Sequence, residues 1–158
     1  MTAFKNLSIP CIRPATPADV GAIFDIRTRV KENPLSREQL TEMGITDEAI
    51  LEAMLAAPCL WIAEVDGAPV GFSMADLEEA SVFAMFILPG FEDRGIGRSL
   101  MASAEEALFD LHSTIWLETS AESRAFGFYQ KLGWQEVERF EDGDVRLEKT
   151  KPVARSHR

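Results

Sequence analysis

Pro89-Gly90-Phe91-Glu92-Asp93-Arg94-Gly95-Ile96-Gly97-Arg98-Ser99-Leu100 follows an almost wholly apolar run, Ser81 to Leu88, and opens a helical repeat of Ile96, Leu100, Met101, Ala104, Leu108 and Leu111. The apolar run predicts a strand covered on both faces, ended by Pro89-Gly90. A glycine-bearing loop between a buried strand and a helix makes an anion site, because the first-turn N–H groups have no partner within the helix and the helix dipole favours negative charge there. Glycines let a diphosphate approach the backbone closely, and Arg94 and Arg98 add charge-assisted contacts. No lysine followed by Ser or Thr comes after the second glycine and no third glycine completes a dinucleotide fingerprint, which disfavours a Walker loop and a Rossmann site. Gly-x-Gly alone fits a structural turn equally well, so the loop needs a second motif.

Working outward, the elements alternate. A strand near Ile9 to Arg13 precedes Thr16-Pro17, an N-cap and first helical position, with Asp19 in the first turn of a helix running to about Val30. Ser36 with Gln39 makes a capping box ahead of a short helix that Gly44 ends, and Thr46 starts a helix with Ile50, Leu51, Met54 and Leu55 on one face. Cys59 to Val65 and Val70 to Met74 flank Asp66-Gly67, a hairpin turn. Downstream, Thr114 to Glu118 reads as a buried strand, Ser120 or Ser123 caps a helix through Lys131, and Trp134 to Phe140 pairs with Val145 to Lys149 around Asp142-Gly143. The order is mixed α/β.

With 158 residues, 46% of them hydrophobic, the chain suits one compact domain. We read that domain over 1–149 and a basic, frayed tail over 150–158. A net charge of −10 gives no general attraction to phosphate backbones or anionic lipid, so neither nucleic acid nor membrane is an expected partner. Without a basic-then-apolar start or a membrane-length apolar stretch, the expected location is cytoplasmic. Cys11 and Cys59 read as reduced core thiols with no metal-ligand cluster around them. His112, near a helix end where it can cap carbonyls, and His157, in the tail, receive no catalytic role, and Asn6-Leu7-Ser8 carries no weight as a glycosylation site without an export signal.

The second motif is Ser123-Arg124-Ala125-Phe126-Gly127-Phe128-Tyr129-Gln130-Lys131-Leu132-Gly133-Trp134. Together, Arg-Gly-Ile-Gly-Arg after a strand and Ala-x-x-Phe-Tyr-x-Lys-Leu-Gly-Trp before a terminal hairpin resemble the GNAT superfamily of acetyl-CoA-dependent N-acetyltransferases, over roughly residues 81 to 140. The resemblance implies a twisted, mostly antiparallel sheet with helices on both faces and a central parallel pair, 81 to 88 and 114 to 118, splayed apart to admit pantetheine. It further implies that backbone groups of Phe86, Ile87 and Leu88 pair with that arm and that Arg94, Gly95, Ile96, Gly97, Arg98 and Ser99 enclose the diphosphate. Two residues depart from the family pattern, Glu92 in place of Gln or Arg and Glu122 in place of Asn. Carboxylates near a diphosphate are unfavourable unless turned away, leaving the two arginines to compensate.

Acyl transfer from a thioester needs a neutral amine, a polarised carbonyl and a proton for the leaving thiolate. By the same resemblance Tyr129 supplies the proton and a backbone N–H near Phe86 or Ile87 polarises the carbonyl. Glu118, Glu79 or Glu78 is the candidate base, with solvent as the alternative. Trp61, Phe83, Met85 and Trp116 either line an acceptor pocket or belong to the core, and Thr28 to Ser36 occupies the region that covers the acceptor in GNAT enzymes. The expected function is transfer of an acetyl group from acetyl-CoA to a primary amine of a small molecule within a ternary complex. A protein lysine or N-terminal acetyltransferase and a non-catalytic acyl-CoA-binding module are the alternatives. No metal is expected, and strand pairing between subunits leaves a homodimer open.

Overall fold

The computed structural model describes residues 9–152, so Asn6, His157 and residues 153–158 of the expected tail lie outside the described residues. The chain begins with strand β1 (Cys11–Pro14), a single 3-10 turn (Pro17–Asp19) and helices α1 (Val20–Arg29), α2 (Arg37–Glu42) and α3 (Asp47–Ala56). Strands β2 (Leu60–Val65), β3 (Ala68–Asp76) and β4 (Ser81–Ile87) follow, then α4 (Ile96–Phe109), β5 (Thr114–Ser120), α5 (Arg124–Lys131), β6 (Gln135–Arg139) and β7 (Asp144–Thr150). The seven strands form one sheet in the order β1-β2-β3-β4-β5-β7-β6, antiparallel throughout except for the parallel pair β4 and β5.

Local chemistry sets the element ends. Ser36 Oγ accepts from Gln39 N at 3.1 Å while Gln39 Oε1 accepts from Ser36 N at 2.9 Å, the reciprocal cap expected ahead of α2. Thr46 Oγ1 accepts from Ala49 N at 3.1 Å and starts α3. Asp66 and Gly67 have φ of 55° and 80°, the left-handed pair that a two-residue hairpin requires. The first helix departs from expectation: Asp19 Oδ2 accepts from Thr16 N at 2.7 Å and closes a 3-10 turn, so α1 begins only at Val20.

Helices cover the two faces of the sheet. Ser73 Oγ donates to Leu100 O of α4 at 3.0 Å, while the Arg27 guanidinium of α1 lies 4.1 Å from the Phe86 ring centroid. Ser73 pairs with Met85 and Phe72 with Phe86, so alternation puts α4 and α1 on opposite faces. Gly71 permits the close approach of α4, since a Cβ there would lie 3.1 Å from Phe86 O and 3.2 Å from Leu100 Cδ1. Tyr129 and Trp134 join Met101, Ala104 and Leu108 in a second core cluster, which seats α5 beside α4.

Several sequence expectations need correction. Leu55 and Leu111, placed on apolar helix faces by periodicity, are exposed, and so is Cys11, which heads an edge strand; Cys59 is buried. His112 does not cap its own helix: its Nε2 lies 2.6 Å from Leu77 O, tying the end of α4 to the β3–β4 turn. Strand pairing runs to Thr150, and Lys151 N donates to Ser113 O at 2.7 Å, so ordered contacts extend past Lys149. Most consequentially, β4 is only partly covered, for Phe83 is 51% exposed and residues 84–87 are only half-buried.

The buried carboxylate of Asp19 anchors this end of the sheet. It receives both Arg13 Nη atoms at 2.8 Å, and Arg13 Nε reaches Glu64 on β2 at 2.9 Å. The hydrogen bonds from Arg13, outweighing the burial cost, hold the Asp19 carboxyl down at about 2 and raise the Arg13 guanidinium. A depressed carboxylate contributes stability above its unfolded-state range and loses it as pH falls through the folded value. Asp19→Asn should therefore cost about 2 kcal/mol in urea titrations at neutral pH, with the gap from wild type closing between about pH 4 and 2; a gap that does not change with pH would contradict this assignment.

Candidate active site

Between β4 and β5 the sheet comes apart. Their only register pair is Ser81↔Trp116, with Trp116 N donating to Ala80 O at 3.0 Å. The cause lies in β4: Met74 pairs with Ala84 and Ala75 with Val82, so Phe83 is an extra residue, a bulge that bends the strand away from β5. The resulting cleft has a volume of about 700 Å³. Leu88 N donates to Val70 O at 2.8 Å, and alternation from that bond commits the backbone of Phe86 to β3 while turning the N–H and C=O of Met85 and Ile87 toward the opening.

The N-terminus of α4 meets the same cleft through Gly95, Gly97 and Arg98. Gly95 is its N-cap with φ of 82° and no side-chain cap, which leaves the N–H groups of Ile96, Gly97 and Arg98 without an intrahelical partner. Ser99 N already donates to Gly95 O at 3.1 Å. At Gly97 a Cβ would stand 3.1 Å from Phe128 Cζ and 3.3 Å from Ile87 Cδ1, so glycine keeps the helix start against the cleft floor. Backbone donors, small residues and a dipole converge here as an anion requires.

Tyr129 projects from α5 into the cleft wall, packed against Phe128 and Trp134 with centroid separations of 5.6 and 6.3 Å. No hydrogen bond to another described residue engages its hydroxyl, and among the described residues no buried polar side-chain atom lacks a partner, so that hydroxyl reaches the cleft. Burial pushes its ionisation up to about 12. The group is a neutral donor throughout the physiological range.

The charged lining is mixed. Glu118 lies on β5 opposite Arg146 of β7, and Asp144 opposite Ser120. Glu92 turns its Oε1 to Gly90 N at 3.0 Å, so one of the two departing carboxylates is partly occupied by the loop's own backbone. The α1–α2 segment contributes Val30 to Asn33, and Arg27, whose guanidinium is lowered by desolvation, holds that segment through Asn33 O at 3.0 Å.

The structure thus brings Tyr129, Glu118, Phe86, Ile87, Gly95, Gly97 and Arg98 to one cleft, with Phe83 and Met85 beside them. Others fall elsewhere. Leu88 has its N–H on Val70 and its C=O on Phe91 N, so Met85 and Ile87 present backbone instead of Phe86 and Leu88. Ile96 points into the core and Ser99 spends its N–H inside the helix. Arg94 stacks 5.0 Å from the Phe91 centroid and does not line the cleft. Glu78 and Glu79 sit in the β3–β4 turn, where Glu79 O accepts from Trp116 Nε1 at 2.8 Å, away from the lining. Sequence reasoning missed Arg124 and Asp144, whose place in the wall follows from tertiary contacts, and passed over Glu32 within the α1–α2 segment. Among the described residues no group of His, Cys, Asp or Glu is arranged to hold a metal, and no helix is long and apolar enough to cross a membrane.

A mixed sheet opened at one parallel pair, with an uncapped helix start at the opening, defines an α+β protein with a cleft between splayed strands. Residues 56–136 match the family described as Acetyltransferase (GNAT) domain, and the chain belongs to that family. A curated relative, the ribosomal protein bS18-alanine N-acetyltransferase of Haemophilus influenzae, is 32% identical over 75 residues; the match covers 44% of this chain and about half (49%) of the relative's length. The PaiA N-acetyltransferase of Thermoplasma acidophilum, solved in complex with coenzyme A, superposes with a TM-score of 0.74 at 18% identity over 90% of this chain and 99% of its own. The ribosomal-protein-S18-alanine N-acetyltransferase of Escherichia coli gives 0.70 at 19% identity over 92% and 96%. At these identities the two structures bear on the fold.

Tyr129 is the chain's single tyrosine, so its ionisation can be read directly from tyrosinate absorbance. At pH 11 about one molecule in ten should be ionised when folded, against about nine in ten for an exposed phenol. Because the unfolded chain ionises first, folded stability should fall as pH rises above about 10. A folded-state midpoint near 10 would contradict the buried placement.

Proposed function

We propose that this protein transfers an acetyl group from acetyl-CoA to a primary amine, and the observation that carries the reading is the gap between β4 and β5 with a neutral tyrosine in its wall. The cofactor's fit rests on three features of the chain: partnerless first-turn N–H groups for the diphosphate, glycines that admit it, and strand backbone at Met85 and Ile87 for the pantetheine amides. When bound, acetyl-CoA supplies the activated acyl group.

The residues then divide the work. A backbone N–H at Met85 or Ile87 stabilises charge on the thioester oxygen. Glu118 accepts, through water, the proton released as the amine nitrogen bonds to the acyl carbon. Tyr129 donates a hydrogen bond to the sulfur as the C–S bond breaks, and a proton held this tightly moves only once charge collects on the thiolate.

For the acceptor we favour a small-molecule amine. Glu32 bonds across to α5, with Arg124 N donating to its carboxylate at 3.2 Å, and this narrows the mouth beside the α1–α2 segment. The second reading, a protein α-amine, draws on the relative that acts on a ribosomal protein's alanine. Thiol release measured against amines, amino acids and alanine-initiated peptides separates them by which class turns over. No turnover with any class, in protein that binds acetyl-CoA, would favour a non-catalytic binding module. Tyr129→Phe should lower kcat about 100-fold while leaving acetyl-CoA affinity unchanged; unaltered turnover would remove Tyr129 from the reaction.

A further inference from the structure

The anion loop carries less positive charge into the cleft than its sequence suggests. Of its two arginines only Arg98 lines the cleft, since Arg94 is drawn onto Phe91. The same loop brings two carboxylates, Glu92 and Asp93, to the lining. A diphosphate entering among them meets two carboxylates of the loop against the one guanidinium of Arg98, a deficit that the backbone N–H groups only partly offset.

A third arginine stands opposite. Arg124, the first residue of α5, lines the cleft from the far side, and its Nη2 lies 3.4 Å from both carboxylate oxygens of Asp93. That pair is long and open to solvent, with 63% and 81% of the two side chains exposed, so it contributes little to folding and exchanges partners at little cost. The backbone of Arg124 is fixed more firmly: Ser123 caps the helix through Phe126 N, and the Glu32 carboxylate accepts from Arg124 N. Glu32 and Ser123 therefore hold the base of the side chain while its tip rests on a weak partner at the edge of the anion loop.

We propose that Arg124 is a further cofactor-binding residue, resting on Asp93 in the free protein and transferring its guanidinium to the cofactor's phosphate oxygens on binding, with Glu32 as its positioning residue. This rests on the acetyl-CoA reading above. The guanidinium replaces one carboxylate partner by another anion in its fork geometry, and no bond is made or broken. Asp93, left by its partner, turns to solvent, where it is already largely exposed.

Calorimetric binding of acetyl-CoA and of S-acetylpantetheine, which lacks phosphate, tests this without reference to turnover. Arg124→Gln should weaken acetyl-CoA about 10-fold and leave S-acetylpantetheine unchanged. Asp93→Asn alone should bind acetyl-CoA at least as tightly as wild type, and adding it to Arg124→Gln should not restore affinity. Restoration would mean that Arg124 only screens Asp93 and would overturn the proposal, as would an Arg124→Gln affinity equal to wild type. Glu32→Gln should weaken acetyl-CoA by a smaller factor, and an effect larger than that of Arg124→Gln would overturn the positioning role. Absence of wild-type binding would overturn the functional reading itself, whereas loss of the variant effects in a binding protein would remove only this inference.

Discussion

Backbone pairing between β4 and β5 stops at Ser81↔Trp116, and the remaining architecture of the site depends on that stop. The extra residue Phe83 bends β4 while its other edge stays paired to β3, so the strand remains rigid as it diverges. The divergence exposes main-chain groups at Met85 and Ile87, sites a sheet would ordinarily fill with the neighbouring strand. It also lets Phe128 and Tyr129 of α5 form one wall and Gly97 of α4 the floor. A continuous parallel ladder would leave no room for either.

The two halves of the core keep that opening in place. α4 crosses behind it, tied to β3 by Ser73 and to the distal hairpin through Glu105, which accepts from Trp134 Nε1 at 3.0 Å and from Lys149 Nζ at 2.8 Å. On the other face α1 reaches the cleft edge through Arg27 on Phe86, while Arg13 and Asp19 anchor its start. The contacts among Glu32, Arg124 and Asp93 are weak by comparison: they are solvent-exposed and lie across the mouth, joining three segments that the strong interactions hold separately. Firmly tied walls and weak ion pairs at the rim are what the acetyl-CoA reading proposed above asks of the cleft.

Much of this was legible in the sequence because it is local. The Ser36-Gln39 capping box, the Asp66-Gly67 turn and the Gly95-Ile96-Gly97 helix start are set by residues within a few positions of one another, and the family motifs identified the splayed pair by resemblance. What was not legible is relational. Apolar composition made Ser81 to Leu88 look covered, whereas the bulge at Phe83 turns it toward a cleft. Arg94 looked equivalent to Arg98 by charge alone, but Phe91 captures it. Glu32 and Arg124 meet across 92 positions of sequence, a contact that no local pattern encodes. Register likewise decides that Met85 and Ile87, and not Phe86 and Leu88, face the opening, since a shift of one residue exchanges the two sets.

Amide hydrogen exchange with and without acetyl-CoA reads that register residue by residue. In the free protein the amides of Phe86 and Leu88, held by β3, should be protected and those of Met85 and Ile87 should exchange quickly; acetyl-CoA should slow Met85 and Ile87 and leave Phe86 and Leu88 as they were. Protection of all four amides without ligand, or no change at Met85 and Ile87 in protein that binds acetyl-CoA, would contradict a cofactor site between the splayed strands.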